Sequence, residues 1–366
     1  MPSEASSVPF IAKIFYTEPM PQPKLNQIRG RVLAWYRKNR RDLPWRRTRD
    51  PYAIWVAETM LQQTQIKTVL PYYHRFLKAF PTLAALDRSS KAKVLTLWSG
   101  LGYYRRAENL KKAARIIVRD HRGKMPRVLD SLRALPGVGP YTAGAVASIA
   151  FHQPSPALDG NARRVLTRIF GVEGEKELDT IGNRLATCSR PGDWNQALME
   201  LGATICVARD PNCPLCPVSQ FCATSRSGCF QAKAPSAAKR EAERVQWPLV
   251  VIENNKKILL RRRPAAGLLG GFWEVPGGES KKRENLKAAL TRHLNGLIKT
   301  VSPASLVGEV RHSITHRRIR APVFFFSQYR KSFRPRSSWR WVSLSSLHLY
   351  PLSTLSLKAI KLVTQR

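Results

Sequence analysis

The stretch WVAETMLQQTQ, residues 55–65, sets a carboxylic acid where a helix should be apolar. Ile54, Ala57, Glu58 and Leu61 stand at i, i+3, i+4 and i+7, the inward stripe of an amphipathic helix. A carboxyl held there loses its water, and that loss disfavours the ionised form. Such a group keeps a proton near neutral pH and can act as a general acid. The residues alone leave an alternative, a structural acid neutralised by an arginine, because the segment 37–49 is rich in basic side chains. A second carboxyl, Asp159 in PALDGNARRVLTRIFG, precedes a helical pattern with Ala162, Val165, Ile169 and Phe170 on one side. Asp159 reads first as the N-cap of that helix. Asn161 stands beside it. Arg163 and Arg164 in the first turn oppose the helix dipole, which a nearby anion would offset.

Two further stretches carry chemistry. Four of the six cysteines form Cys206-x6-Cys213-x2-Cys216-x5-Cys222. Four thiols on one short loop can surround a single centre, and the spacing leaves tetrahedral zinc and an iron–sulfur cube both open. Such clustering without a secretion signal favours metal over disulfides. The string LRALPGVGPYTAGAV reads as helix, tight turn, helix, with Gly137 and Gly139 permitting a positive-φ hairpin. Pro140 suits the first turn of the second helix, whose free N–H groups and dipole make an anion site. A formal net charge of +38, from 62 basic and 24 acidic residues, exceeds what solubility requires and points to nucleic acid. A phosphate at the hairpin would position a duplex without reading its sequence.

The elements that must hold these residues follow from periodicity. Apolar residues recur at helical spacing in 28–36, 52–63, 69–79, 106–118, 141–150, 162–170 and 195–205. The segment 226–246 reads as a linker. Beyond it PLVVIEN, KILLRRR, RIRAPVFFFSQ and WRWVSL read as strands around one helix bearing Leu286, Leu290, Leu294 and Leu297, with a last helix over 354–364. The expected chain is multidomain: a tail over 1–24, an all-α domain over 25–225 with its cysteine loop at 206–222, and an α+β domain over 247–366. No run of eighteen apolar residues occurs, so no membrane span is expected, and the N-terminus reads as a tail rather than a signal peptide; the expected localisation is cytoplasmic, bacterial and nucleoid-associated.

LPWRRTRDPYAIWVAETMLQQTQ, LWSGLGYYRRAENL, LPGVGPYTAGAV, LDGNARRVL and the cysteine loop occur in this order and closely resemble the adenine-DNA glycosylases of the helix-hairpin-helix, endonuclease III-like superfamily. The resemblance is dense over 25–225. It implies a monofunctional enzyme that removes adenine mispaired with 8-oxoguanine or G and leaves an abasic site. It also implies a [4Fe–4S] cluster on Cys206, Cys213, Cys216 and Cys222. Glu58 matches the catalytic acid, and Asp159 the second carboxylate, with Asn161 beside it. Tyr141 stands where related enzymes carry a nucleophilic lysine, and a phenol cannot form a Schiff base. Gln63 and Tyr103 match residues that enter the base stack, and Thr64 and Leu101 fall near the lesion. Arg46 and Glu200 match positions near the flipped adenine. The implied partner is double-stranded DNA carrying the mispair, with no membrane involved, bound by a monomer.

GLLGGFWEVPGGES and the helix after it resemble the Nudix-like domain of the same enzymes. Where true Nudix hydrolases place acidic metal ligands, ALTRHLNGL has Leu and His, so pyrophosphate hydrolysis is not expected. The resemblance makes this the lesion-recognition domain. Ile314-Thr315-His316 stands in place of the family's Phe-Ser-His. The Thr315 hydroxyl can accept from N7–H of 8-oxoguanine and donate to O8, with His316 alongside. The alternative is a surface strand with His312, Ile314 and His316 on one side.

Overall fold

A computed structural model of the chain describes residues 21–172, 174–227, 242–264, 267, 269–294, 304–314, 316–327 and 338–365. Two units emerge from its packing. One joins residues up to 63 with 113–236; the other joins 64–112 with 237–366.

The first unit is helical. Helix Gln22–Asn39 buries Leu25, Ile28, Val32 and Tyr36, one side at helical spacing. Helix Pro51–Leu61 starts on the Asp50 N-cap, whose carboxylate accepts from the Tyr52 amide, and everything from Tyr52 to Met60 is buried. Glu58 is therefore inside a helix submerged on all sides. Helix Pro140–Phe151 begins on its proline and is built of small residues, so it too is buried along most of its length. Helix Gly160–Phe170 is capped by Asp159 and stopped by Gly171 in the left-handed conformation. Helix Pro191–Thr204 crosses it closely: a Cβ at Gly202 would stand 2.7 Å from the Asn161 Cβ, so only glycine fits there. Leu166, Ile169, Leu198 and Leu201 fill the core between these helices.

The second unit combines helices Ile66–Ala79, Leu83–Arg88 and Lys91–Trp98 with a mixed sheet. Its strands are β1 (Glu243–Gln246), β2 (Leu249–Asn254), β3 (Lys257–Arg262), β4 (Trp273–Glu274), β5 (Ser305–Ile314), β6 (Arg317–Ser327) and β7 (Trp339–Ser343). β6 pairs parallel with β1 and β2 and antiparallel with β5; β3 pairs antiparallel with β2, β4 and β7. Alternation along β2 sends Leu249 and Val251 to one face, against helix Thr354–Thr364. It sends Val250 and Ile252 to the other, against helix Leu286–Leu294.

Among the described residues the strands and helices expected from sequence are present, and the order is helical, then α+β; Leu297, the tail over 1–20 and most of the expected linker lie outside the described residues. Four helices were not apparent from periodicity, Leu83–Arg88, Lys91–Trp98, Glu175–Ala186 and Ala223–Ser227, while Leu129–Arg133 is the first helix of the expected hairpin. β1 falls inside the expected linker. Its ERVQ carries no apolar pattern, and pairing with β6 is what makes it a strand. Among the described residues no helix is long and apolar enough to cross a membrane.

Candidate active site

Glu58 is 4 % exposed, and Tyr141 Oη donates to its Oε2 at 2.5 Å. The phenol lies 3.6 Å from the Met199 sulfur on its other side. Burial pushes the Glu58 carboxyl up to about 7; the Tyr141 bond pulls it down, the Asp159 carboxylate raises it, and the Arg46 cation lowers it. A half-protonated acid at neutral pH therefore sits beside a second carboxylate.

Asp159 caps its helix as the sequence indicated. Its Oδ1 accepts from the Ala162 amide at 2.7 Å and its Oδ2 from Asn161 Nδ2 at 3.2 Å. Helix-terminal amides and an asparagine donor favour an ionised carboxylate. They do pull its pKa down, but burial is the larger effect and the net direction is upward. Arg164 Nη2 donates to Asn161 Oδ1 at 2.8 Å and to the Gly202 carbonyl at 2.7 Å, while its Nε reaches the Cys206 carbonyl at 2.9 Å. Arg163 pairs with Glu175 and Asp179. The two arginines that oppose the helix dipole are thus satisfied from within the protein.

Arg46 and Glu200 do come together, and the Arg46 cation acts on Glu58. Glu200 is 1 % exposed, and both of its oxygens are taken. Arg41 donates through its amide, Nε and Nη2 at 2.7–2.9 Å, and Arg46 through Nη2 at 2.7 Å. Despite its burial these donors hold Glu200 down at about 2. Arg46 is half-buried, and its side chain is fixed by this carboxylate. Sequence reading missed Arg41; a buried Glu200 in a basic context signals a partner but does not say which one.

The hairpin differs in one respect from expectation. Gly137 has a positive φ of 78°, whereas Gly139 is extended, at φ −85°. Gly139 is the N-cap of helix Pro140–Phe151, and a Cβ there would meet nothing within 4 Å. That open space lets an anion reach the first amides of the helix.

Gln63 and Tyr103 both hold positive φ, 58° and 48°, which is costly for residues with a Cβ. Gln63 is exposed, Thr64 half-buried, and Tyr103 is 52 % exposed. Leu101 is 5 % exposed and forms an apolar foot under the loop. The buried Arg106 was not singled out from sequence. It donates to Thr64 Oγ1 at 3.1 Å and to the Gly102 carbonyl at 3.3 Å, and its guanidinium lies over the rings of Tyr103 and Trp98.

On β5, Val310, His312 and Ile314 face inward and Arg311 and Ser313 outward. Ile314 packs against the core of the sheet. Thr315 lies outside the described residues. His316 Nε2 is 3.6 Å from Glu243 Oε2.

Cys206, Cys213, Cys216 and Cys222 line one cavity, with Arg168 and Ile169 on its wall. Among the described residues no three His, Cys, Asp or Glu side chains are gathered to hold a metal ion. Burial pushes the Cys216 thiol up to about 11 and raises Cys213 and Cys222 as well. Bare thiols there stay protonated, and a cationic centre is what would draw out thiolates. Arg168 Nη1 lies 3.4 Å from the Cys206 sulfur, a donor suited to a thiolate. The donor set and its shared cavity fit a multi-sulfur centre.

Comparison with known proteins agrees with this geometry. Residues 56–188 match the family model of the HhH-GPD superfamily base excision DNA repair proteins, and residues 248–362 match that of the NUDIX domain. The chain is 33 % identical to the adenine DNA glycosylase of Homo sapiens over 405 residues, covering 92 % of this chain and 74 % of that protein. It is 31 % identical to the adenine DNA glycosylase of Buchnera aphidicola subsp. Baizongia pistaciae, covering 90 % of this chain and 94 % of the relative. Among solved structures, a thermostable thymine-DNA glycosylase is 32 % identical with a TM-score of 0.53, over 56 % of this chain and 98 % of that one. A trapped endonuclease III–DNA covalent intermediate, 21 % identical with a TM-score of 0.50, covers 57 % of this chain and 99 % of that one and shares the fold.

Proposed function

The chain belongs to the adenine DNA glycosylases, and from that premise we propose that it hydrolyses the N-glycosidic bond of adenine opposite 8-oxoguanine or G, with Glu58 as the acid and Asp159 facing the sugar. The observation that carries this reading is a buried carboxyl with a pKa near 7 beside a second carboxylate.

Adenine leaves poorly until its ring is protonated. The target nucleotide must leave the stack and enter a closed pocket. Tyr141 occupies Glu58 Oε2 and leaves Oε1 to carry the proton. Glu58 gives that proton to N7, the C1′–N9 bonding pair goes to the base, and the sugar becomes oxocarbenium-like. Asp159, positioned by Ala162 and Asn161, stabilises the cation until water adds at C1′ and passes its proton to the Glu58 carboxylate, which restores the acid. Arg46, held by Glu200, keeps a fixed positive charge beside the acid. Tyr141 in the hairpin offers no amine, so the strand stays intact and an abasic site remains.

Gln63 and Tyr103 open the base stack, and the Gly139 amide edge receives backbone phosphate. The Thr315 hydroxyl reads 8-oxoguanine. Cys206, Cys213, Cys216 and Cys222 would hold the [4Fe–4S] cluster, which when bound ties the thiolates of one loop into a single structural unit.

The test is single-turnover release of adenine from duplexes carrying 8-oxoguanine·A, G·A and T·A, read as alkali-labile breaks. Release should be fastest opposite 8-oxoguanine, slower opposite G and absent opposite T. No breaks should appear without alkali. Equal release from T·A would overturn the reading.

A further inference from the structure

The loop that carries Tyr103 is held by the C-terminal sheet. Tyr104 lies against Phe272 with ring centroids 4.3 Å apart, and Ser99 Oγ donates to the Leu352 carbonyl at 2.6 Å. These two contacts bracket the exposed ring of Tyr103 in sequence. Phe272 is 1 % exposed, so Tyr104 rests on a fixed surface. Phe272 and Leu352 also belong to one backbone-bonded step: the Trp273 amide donates to the Pro351 carbonyl at 2.8 Å, and the Ser353 amide to the Trp273 carbonyl at 3.3 Å.

Local bonding alone does not fix this loop. Gly100, Gly102 and Tyr103 all take positive φ, a run of conformations that needs outside support. Inside the loop, the Gly100 amide donates to Tyr104 Oη at 3.2 Å and Trp98 Nε1 to the Gly102 carbonyl at 3.1 Å. Tyr72 Oη holds the Ser99 carbonyl at 2.9 Å. Arg106 adds a bond to the Gly102 carbonyl at 3.3 Å and lies over the Tyr103 ring, and Phe272 and Leu352 add support from the sheet. From there a continuous hydrogen-bonded ladder runs through β4, β3, β2 and β6 to β5, the strand that leads to Thr315.

We propose that Phe272 and the Leu352 carbonyl are positioning groups for the Tyr103 wedge, so that the C-terminal sheet sets how readily this loop opens the base stack. The proposal rests on the wedge reading of Tyr103 given above. Spatial continuity does not establish coupling; a double-mutant cycle does.

The experiment uses the full chain and a duplex with 2-aminopurine beside the 8-oxoguanine·A mispair, whose fluorescence rises on unstacking. Phe272→Leu, Ser99→Ala and Tyr103→Ala are compared singly and in pairs, with melting temperature and duplex affinity recorded. Ser99→Ala removes one donor and keeps the fold intact should Phe272→Leu loosen it. Phe272→Leu and Ser99→Ala should each lower the unstacking signal and slow adenine release about fivefold. In the Tyr103→Ala background neither should cause any further loss. Losses that multiply in that background, or an unchanged signal in both single variants, overturn the proposal. An unchanged signal in Tyr103→Ala alone shows instead that the wedge reading is wrong, and the proposal falls with it.

Discussion

The Tyr141 hydroxyl donates to Glu58 Oε2 at 2.5 Å, across two helices that are both buried along most of their length. The bond opposes burial: it steadies the ionised carboxylate that desolvation disfavours. The balance puts Glu58 near 7, where it can both hold and release a proton at working pH. A lysine at position 141 would have paired with Glu58 as a cation and driven it to the ionised form. The phenol keeps the acid usable and removes the amine in the same substitution.

The buried acid should cost stability. Its folded pKa, about 7, lies above the ordinary 4.5, so the folded state binds the proton more tightly. Stability from this group is complete below the unfolded pKa and is lost as pH rises through the folded one. Glu58→Gln cannot ionise. Its unfolding free energy should match wild type at acid pH and exceed it progressively up to neutral pH, by as much as about 3 kcal/mol. Parallel melting curves across that range would contradict the raised pKa.

The rate should follow the same groups. Release needs Glu58 protonated, so the single-turnover constant should fall as pH rises through about 7. Tyr141→Phe removes the bond that favours the carboxylate, so the falling limb should move to higher pH while the maximum drops about tenfold from lost positioning. A limb that stays in place in Tyr141→Phe would detach the phenol from Glu58.

Glu200 acts through Arg46. With Glu200→Gln the two arginines lose the buried anion they share, at a cost of about 3 kcal/mol borne chiefly by Arg46, since Arg41 is 41 % exposed and can be rehydrated. The freed charge on Arg46 also favours ionised Glu58, so the falling limb should shift to lower pH. Restoring a carboxylate with Glu200→Asp should return part of that shift. A pH profile identical to wild type in Glu200→Gln would confine Glu200 to stability.

The cysteine loop makes an analytical prediction. Purified chain should carry about four iron and four sulfide per molecule. Cys216→Ser should lower the iron content, the visible absorbance and the melting temperature together. One zinc per chain would contradict the assignment.

Discrimination at the lesion should depend on the Thr315 hydroxyl. Thr315→Ala should narrow the rate ratio between 8-oxoguanine·A and G·A while leaving G·A release near wild type. Equal loss on both substrates would remove Thr315 from lesion reading.

Legibility followed periodicity and local chemistry. Glu58 stood out because an acid broke an apolar stripe, and Asp159 because an N-cap has a local signature. Helix Thr354–Thr364 was visible for the same reason. Interactions set by tertiary partners were not visible. Arg41 and Glu200 are 159 positions apart, and nothing local couples them. Leu101 was placed near the lesion by resemblance, and no local pattern shows that it is the buried foot of an exposed loop. The packing of 64–112 with the C-terminal sheet depends on Ser99–Leu352 and Tyr104–Phe272, contacts that no sequence pattern announces.

The central claim is a protonated Glu58 at working pH, and the most direct measurement is its titration. Difference infrared spectra of wild type and Glu58→Gln, taken across pH with a non-cleavable adenine analogue bound opposite 8-oxoguanine, isolate the signal of this one carboxyl. A midpoint near 7 is expected. A midpoint close to that of an ordinary glutamate would mean that the proton delivered to adenine comes from elsewhere.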